Sequence, residues 1–186
     1  MKTLILAGGC FWGVDAYFRQ LKGVVDTKSG YANGNKENPT YTEVCNGVAT
    51  HAEAVKITYD PKGISLDQLL EHFFRIVEPT SLNRQGNDVG IQYRSGIYYE
   101  DLETKATADA YIVKEQQKYK EKIVVQVEPL TQFFLAEDYH QDYLEKNPTG
   151  YCHIDLGLAK ADEVKWKIKT TSPGTNILWV LQNYQL

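Results

Sequence analysis

Cys10 has the surroundings in this sequence that most favour chemistry. It follows Gly8 and Gly9, at the point where the apolar segment 2–7 gives way to a helical pattern. A sulfur in the first helical turn lies close to unpaired backbone N–H groups and to the positive end of the helix dipole, and both favour the thiolate. The thiolate is the nucleophilic form of cysteine. The alternative is that Cys10 is a small buried hydrophobic residue, a common role for a lone cysteine.

Two large aromatic residues, Phe11 and Trp12, follow Cys10 directly, and Gly13 follows them. Aromatic rings give an apolar wall against which a small substrate group can pack. The glycines on both sides leave the sulfur unshielded. We interpret this segment as a nucleophilic cysteine beside an apolar pocket.

Glu53 is the second candidate for chemistry. The segment 52–59 alternates as a strand, which puts Glu53 on the same face as Val55 and Ile57. A carboxyl group on an apolar face has a raised pKa and can act as a general acid. The alternative is a strand-end glutamate that bends into solvent. His51, two residues earlier, is interpreted as a loop or packing histidine rather than a base.

Further candidates lie in less regular segments. The polar residues 83–88, with Gln92, Tyr93 and Arg94, separate an apolar helix from an apolar strand. They form either a solvated turn or the hydrogen-bonded frame of an active site. Cys152 follows Gly150 in a segment without clear periodicity, so it either reaches another thiol or is an exposed unpaired cysteine. Cys45 is interpreted as structural.

The elements that must position these residues alternate along the chain. Periodicity predicts strands at 2–7, 24–31, 52–59, 96–99 and 123–127, and helices from 10 to 23, from 65 to Pro79, from 101 to about 120 and at 137–146. Residues 80–92 are expected to form a loop. The order βαββαβ followed by extra elements predicts an α+β two-layer sandwich on a mixed sheet, resembling the ferredoxin-like arrangement.

The C-terminal part of the chain is predicted to be an irregular tail. We expect a catalytic domain at 1–155 and a tail at 156–186 that docks on that domain through the apolar segment 177–181, after a turn at 172–174. No internal repeat or linker separates the two parts.

Composition limits the class of protein. The chain has 186 residues, of which 42% are hydrophobic and 24% charged, as in an ordinary globular domain. The net charge of -4 and the lack of a basic run argue against nucleic acid as a partner. No apolar stretch is long enough to span a membrane. The absence of a secretory leader predicts a cytoplasmic location, and we expect a monomer.

Three cysteines without a Cys-x-x-Cys pair do not form a structural disulfide framework or a dithiol motif. Spacing typical of zinc ligands is also absent. We therefore expect neither a metal nor a cofactor.

Together, six segments resemble the motifs of the peptide methionine sulfoxide reductase A family, in that family's order. They are Gly9-Cys10-Phe11-Trp12-Gly13, Ser29-Gly30-Tyr31, Asn38-Pro39-Thr40-Tyr41, His51-Ala52-Glu53-Ala54-Val55, Asn83 to Asp88 with Gln92-Tyr93-Arg94-Ser95, and Glu137-Asp138-Tyr139-His140-Gln141. The resemblance covers about residues 3–155. One departure is Val77-Glu78-Pro79, where family members often have His-Asp-Pro.

The resemblance implies a role for each matching residue. Cys10 would be the nucleophile, Glu53 the acid at the sulfoxide oxygen and Cys152 the resolving thiol. Phe11 and Trp12 would form the pocket for the S-methyl group, and His140 lies in a motif expected to contribute to substrate binding. The supporting polar groups would be Tyr41, Tyr93 and Asp88.

The implied reaction is the reduction of methionine S-sulfoxide, free or in oxidised proteins. Cys10 would become a sulfenic acid, condense with Cys152 to a disulfide, and be restored by thioredoxin or by dithiothreitol. Residues 153–186 contain no further cysteine, which implies a two-cysteine scheme. The alternatives are a Cys-His acyl-transfer enzyme with His51 or His140 as base, and a non-catalytic peptide-binding module.

Overall fold

The computed structural model describes residues 1–165 and the backbone of two short strands, Lys169–Thr170 and Ile177–Leu178, which pair with each other. The predicted turn at 172–174 lies outside the described residues. So do the side chains on which the predicted docking of 177–181 depends.

The strands of the described chain are numbered in order. They are β1 (Lys2–Gly8), β2 (Val24–Ala32), β3 (Ala52–Tyr59), β4 (Arg84–Gln85), β5 (Asp88–Val89), β6 (Ser95–Tyr99), β7 (Gln126–Pro129), β8 (Phe133–Leu135), β9 (Lys169–Thr170) and β10 (Ile177–Leu178).

One six-stranded sheet, in the order β7-β6-β1-β3-β2-β8, organises the fold. Its four central strands pair antiparallel in the order β6-β1-β3-β2, which is the order of a ferredoxin-like βαββαβ unit. β7 joins β6 in parallel and β8 joins β2 antiparallel, so the sheet is mixed. The predicted α+β fold on a mixed sheet is confirmed.

Among the described residues, five α-helices accompany the sheet: α1 (Phe11–Arg19), α2 (Tyr41–Cys45), α3 (Leu66–Ile76), α4 (Leu102–Gln116) and α5 (Tyr143–Lys146). Both α3 and α4 begin at a capping residue. The Ser65 side chain accepts a hydrogen bond from the backbone N–H of Gln68 in a reciprocal capping box, and Asp101 accepts one from Thr104. Such caps satisfy backbone donors that the first turn leaves unpaired.

Short elements are where the sequence prediction is wrong. The helix expected at 137–146 is a single 3-10 turn, Asp138–His140, followed by Asp142 with a φ of 56° and then α5. A left-handed residue cannot continue a right-handed helix. The loop expected at 80–92 contains the small hairpin β4–β5. The strand expected at 123–127 is β7, which begins at Gln126. Neither α2 nor β8 was expected.

The main core lies between α1, α3 and one face of the sheet. Its members include Leu4, Leu6, Phe18, Val55, Ile57, Phe73 and Ile97, each no more than 1% exposed. This core reaches the end of β1, two residues before Cys10. A Cβ atom added at Gly8 would lie 3.0 Å from Val77 Cγ1 and 3.2 Å from Phe73 Cε2. α3 is therefore packed directly beneath the turn that leads into α1.

Residues 156–165 run back along α1 and α3. Leu156 is buried in the main core, Val164 forms a β-bridge with Leu21, and Glu163 pairs with Arg75 at 2.7 Å. The division of the chain into 1–155 and 156–186 stays a prediction. No helix in the described part of the chain is long and apolar enough to cross a membrane.

Phe73→Ala should lower the free energy of unfolding by about 3–5 kcal/mol, because it removes a fully buried ring and leaves a cavity. Chemical denaturation monitored by circular dichroism measures the change. The control is Leu102→Ala, because that side chain is 77% exposed and its loss should cost less than about 0.5 kcal/mol. Equal losses in the two variants would contradict the core assignment.

Candidate active site

Cys10 occupies the N-cap position of α1, as its place in the sequence predicted. Gly9, with a φ of +86°, makes the turn from β1, and Cys10 follows with a φ of -56° and a ψ of 122°. A Cβ atom at Gly9 would lie 2.7 Å from Gln85, so only glycine fits this turn without displacing a neighbour. The Cys10 residue is 7% exposed. The turn therefore places a nearly buried sulfur at the start of the helix.

The expectation that this position lowers the pKa of Cys10 is wrong for the chain without substrate. Burial, and then the charge of Glu53, raise the pKa of the thiol well above its usual value, while a hydrogen bond from the Trp12 backbone N–H opposes the shift. Desolvation of the charged sulfur outweighs the stabilisation by the helix N-terminus. Cys10 is consequently a protonated thiol, and any charge on Glu53 makes it still harder to ionise.

Glu53 lies on β3 and is 1% exposed. The Phe11 backbone N–H donates a hydrogen bond of 3.1 Å to Glu53 Oε2. Phe11 is the first residue of α1, so this N–H has no partner within the helix. Burial raises the pKa of Glu53 to about 8, against the lowering effect of that bond, and the charge of Asp88 adds to the rise. The structure thus brings a carboxyl group that is mostly protonated at neutral pH next to Cys10.

The predicted polar partners surround this pair. Burial, and then the charges of Glu53 and Cys10, raise the pKa of the Tyr93 hydroxyl. Burial, a hydrogen bond with Cys45 and the charge of Glu53 raise the pKa of Tyr41. Both phenols are therefore neutral donors near the pair. Asp88 acts electrostatically on Glu53 and Cys10 from the β4–β5 hairpin.

The predicted aromatic residues form one packed group. Phe11 is buried, whereas Trp12 keeps part of its surface exposed and stacks on Tyr143 with 3.8 Å between ring centroids. Trp12 Nε1 donates to His140 Nδ1 at 3.0 Å, and the His140 ring lies 5.1 Å from Phe11 and 4.4 Å from Tyr41. The arrangement gives an apolar wall whose rings are fixed by one hydrogen bond and several ring contacts.

Cys152 lies against the helix that Cys10 begins. A Cβ atom at Gly13 would lie 3.0 Å from Cys152 Sγ, and Cys152 acts electrostatically on Cys10. Its thiol donates to the carbonyl of Ile154, and all three cysteines are free. Ile154 and Leu156 are buried in the core and hold this segment against α1.

The comparison with known families agrees with this geometry. The model of the family described as "Peptide methionine sulfoxide reductase" matches residues 2–172. The chain belongs to the peptide methionine sulfoxide reductase family.

Known reductases align with most of this chain. Peptide methionine sulfoxide reductase MsrA of Clostridium botulinum is 56% identical over 156 residues, which are 84% of this chain and 99% of the relative. The reduced form of Mxr1 from Saccharomyces cerevisiae has a TM-score of 0.76 at 41% identity, covering 81% of this chain and 88% of that one. Methionine sulfoxide reductase A of Corynebacterium diphtheriae has a TM-score of 0.73 at 36% identity, covering 81% and 77%.

The reductase site includes residues that the sequence analysis did not single out. Glu137 accepts hydrogen bonds from the Tyr31 hydroxyl at 2.7 Å and from the Tyr41 backbone N–H at 2.9 Å, so it holds α2 against β2. Cys45 is exposed at the end of α2 and is hydrogen-bonded to Tyr41. This exposed position does not fit the structural role expected for Cys45. Glu137 could have been found, because it opens a segment already matched to a family motif.

The departure at Val77-Glu78-Pro79 has a simple physical reading in this reductase. The Gln85 side chain accepts from the Glu78 N–H at 2.7 Å and donates to the Glu78 carbonyl at 3.0 Å. The segment is thus held through its backbone, and the Glu78 side chain is exposed. A different side chain at this position leaves the anchoring of the β4–β5 hairpin intact.

Glu53→Gln should change how stability depends on pH. With a folded pKa of about 8 and an ordinary value of 4.5, folding of the wild type binds a proton between these limits, so its stability falls as the pH rises through that window. Glutamine has no proton to lose, so the melting temperature of the variant relative to wild type should increase from about pH 5 to about pH 9. Thermal unfolding measures this difference. The control is Glu78→Gln, the same chemical change on an exposed side chain. A difference for Glu53→Gln that is constant with pH would show that Glu53 is ionised throughout.

Proposed function

We propose that this reductase converts the S epimer of methionine sulfoxide, free or in oxidised proteins, to methionine through Cys10, with thioredoxin as the reductant. One observation carries the proposal: the buried carboxyl group of Glu53, with a pKa of about 8, hydrogen-bonded to the first N–H of the helix that Cys10 begins. A thiol and a neutral acid are thereby held within one substrate's length. This is the pair that sulfoxide chemistry requires.

The first step reduces the sulfoxide at the expense of the Cys10 sulfur. A sulfoxide sulfur is a poor electrophile until its oxygen is protonated, and Glu53 supplies that proton. The Cys10 sulfur supplies the electron pair and takes over the protonated oxygen as a sulfenic acid, methionine leaves, and the proton of the Cys10 thiol restores the neutral form of Glu53. The sulfoxide sulfur gains two electrons and the Cys10 sulfur loses two, so no cofactor takes part.

The same acid explains how a thiol with a raised pKa becomes a nucleophile. Cys10 is hard to ionise while Glu53 is charged, because the two negative charges would lie together in a desolvated site. When Glu53 is protonated this repulsion is gone, and the Trp12 N–H remains as a donor to the sulfur. The protonated acid therefore assists the nucleophile as well as the leaving oxygen.

The neighbouring groups bind the remaining parts of the sulfoxide. The methyl group offers only apolar contact, which Trp12 and the rings packed around it provide. The hydroxyls of Tyr41 and Tyr93 are neutral donors near Glu53 and suit the sulfoxide oxygen. His140 fixes the indole of Trp12 through its Nδ1 atom and would orient the pocket rather than react.

The second step converts the Cys10 sulfenic acid into a disulfide that a reductant can return to the thiol. The Cys152 thiol condenses with the Cys10 sulfenic acid, which forms the disulfide and releases water. The position of Cys152 beside Gly13 supports this pairing, since the segment needs to move only locally. A dithiol reductant then reduces the disulfide. Mxr1 of Saccharomyces cerevisiae, in its complex with Trx2, has a TM-score of 0.53 to this chain at 29% identity, which supports thioredoxin as that reductant.

The acyl-transfer alternative finds little support in the two candidate bases. His51 is fully buried, and its Nε2 atom contacts the Gln132 amide at 3.2 Å. His140 Nδ1 accepts a hydrogen bond from the indole N–H of Trp12, and His140 Nε2 lies 4.0 Å from Glu137 Oε2. Neither histidine has a ring nitrogen hydrogen-bonded to Cys10, and a Cys-His pair needs that bond.

Cys10→Ser should abolish formation of methionine, because a serine hydroxyl is not ionised near neutral pH and cannot attack the sulfoxide sulfur. Glu53→Gln should slow the first reductive step by about 10² to 10⁴, the usual worth of a positioned acid. The measurement is methionine formed per enzyme in a single turnover with S-sulfoxide and no reductant, with the R epimer as the control substrate. Near wild-type methionine from Cys10→Ser, or a loss below about threefold for Glu53→Gln, would refute the assigned roles.

Cys152→Ser should still release one methionine per enzyme, because the sulfoxide step needs only Cys10 and the acid. Turnover driven by thioredoxin should stop, whereas dithiothreitol should sustain it by attacking the sulfenic acid directly. Methionine release is measured with both reductants in parallel, and Cys45→Ser is the matched control. Full thioredoxin turnover in Cys152→Ser, or a Cys10–Cys45 disulfide in the oxidised wild type, would transfer the resolving role to Cys45.

A further inference from the structure

His153, the residue directly after Cys152, is buried against the turn that carries Cys10. Its side chain is 5% exposed. Its Nε2 atom lies 3.2 Å from the carbonyl oxygen of Gly8, and since a carbonyl only accepts, Nε2 must carry the proton and donate. A Cβ atom at Gly9 would lie 2.9 Å from this imidazole. The missing side chain at Gly9 therefore makes room for His153 as well as for the turn.

The other ring nitrogen faces the carboxylate of Asp88. His153 Nδ1 lies 3.6 Å from Asp88 Oδ2, and both atoms are buried without a hydrogen-bond partner among the described residues. Tyr151, on the other side of Cys152, is also directed at Asp88: burial, and then the charge of Asp88 and a hydrogen bond to it, raise the pKa of the Tyr151 hydroxyl. The two residues that flank Cys152 thus converge on one carboxylate beside the site.

We propose that His153 is a positioning residue, which anchors the Cys152 segment to the Gly8 carbonyl and so keeps the resolving thiol within reach of Cys10. This inference rests on the proposed role of Cys152. The anchor acts on the second step alone, because the sulfoxide step requires neither Cys152 nor His153. Its effect is one of proximity: a tethered thiol meets the sulfenic acid more often than a thiol on a loose segment.

The anchor is also easily released. With Nε2 donating to Gly8, a neutral His153 presents a lone pair to the Asp88 carboxylate, so that contact contributes no hydrogen bond. Burial lowers the pKa of His153, while the charges of Asp88 and Glu78 and the bond to Gly8 act in the opposite direction. One hydrogen bond therefore carries most of the attachment, which allows Cys152 to shift toward Cys10 without a large barrier.

The test separates the two steps in one experiment. Reduced protein is mixed with one equivalent of free methionine S-sulfoxide without reductant and quenched over time. Methionine is measured by chromatography, and the Cys10–Cys152 disulfide by mass spectrometry of peptides. His153→Leu, which keeps a similar volume without the donor, should form methionine within about twofold of the wild-type rate. It should form the disulfide at least about fivefold more slowly than the wild type, which is the effect expected from the loss of one hydrogen bond.

Two further variants distinguish an anchor from general damage to the segment. His153→Gln keeps an N–H that can donate to the Gly8 carbonyl and should recover most of the disulfide rate. Asp155→Ala disturbs the same segment by removing a hydrogen bond of 2.8 Å to the Gly157 N–H, but leaves His153 untouched, and should match wild type. A disulfide rate in His153→Leu within about twofold of wild type, or equal slowing by Asp155→Ala, would overturn the proposal.

A second readout does not depend on the sulfoxide reaction. Alkylation of Cys152 by iodoacetamide in the reduced chain should be faster in His153→Leu than in wild type or His153→Gln, because the thiol leaves its packed position more often. Unchanged alkylation would refute the anchor even if the reductase chemistry is confirmed. If the wild type forms methionine but no Cys10–Cys152 disulfide, the proposed resolving step fails, and the role of His153 fails with it.

Discussion

The site depends on the hydrogen bond from the Phe11 backbone N–H to Glu53 Oε2. It joins the first turn of α1 to a buried position on β3, so the helix that Cys10 begins and the strand that carries Glu53 cannot shift independently. The helix supplies an unpaired donor and the strand supplies a carboxyl group that has no access to water. The hydrogen bond gives the N–H an acceptor and the buried carboxyl group a donor. The spacing of Cys10 and Glu53 is thereby a property of the sheet and the core, which are the rigid parts of the fold.

Burial has opposite consequences for the two members of this pair. It keeps Glu53 protonated up to a pKa of about 8, which is what an acid at neutral pH needs, but it also makes Cys10 harder to ionise. The charge of Glu53 adds to the second effect. The site is therefore suited to a reaction in which the acid is neutral when the sulfur attacks, and unsuited to one in which Glu53 acts as a base toward the thiol. That distinction favours reduction of an oxide over acyl transfer.

The sequence allowed the parts of the site that lie on regular elements to be predicted. Cys10 could be placed because glycines interrupt an apolar strand before a helical period, and Glu53 because strict alternation puts it on an apolar face. The long elements were found for the same reason. α2, β8 and the β4–β5 hairpin were missed, because elements of two to five residues carry too little periodicity to be recognised. The helix at 137–146 failed at Asp142, where a left-handed backbone has no clear signature in the residue type.

The contacts that hold Cys152 show a second limit of sequence reasoning. A glycine and little periodicity suggested a loose tail, yet Ile154 and Leu156 are buried and His153 bonds to the Gly8 carbonyl. His153 and Gly8 are 145 positions apart in the chain, so no local pattern reveals their contact. These contacts also bear on the proposed disulfide step. Cys152 starts from a packed position beside α1, so a local movement, rather than the search of a free chain end, would bring it to Cys10.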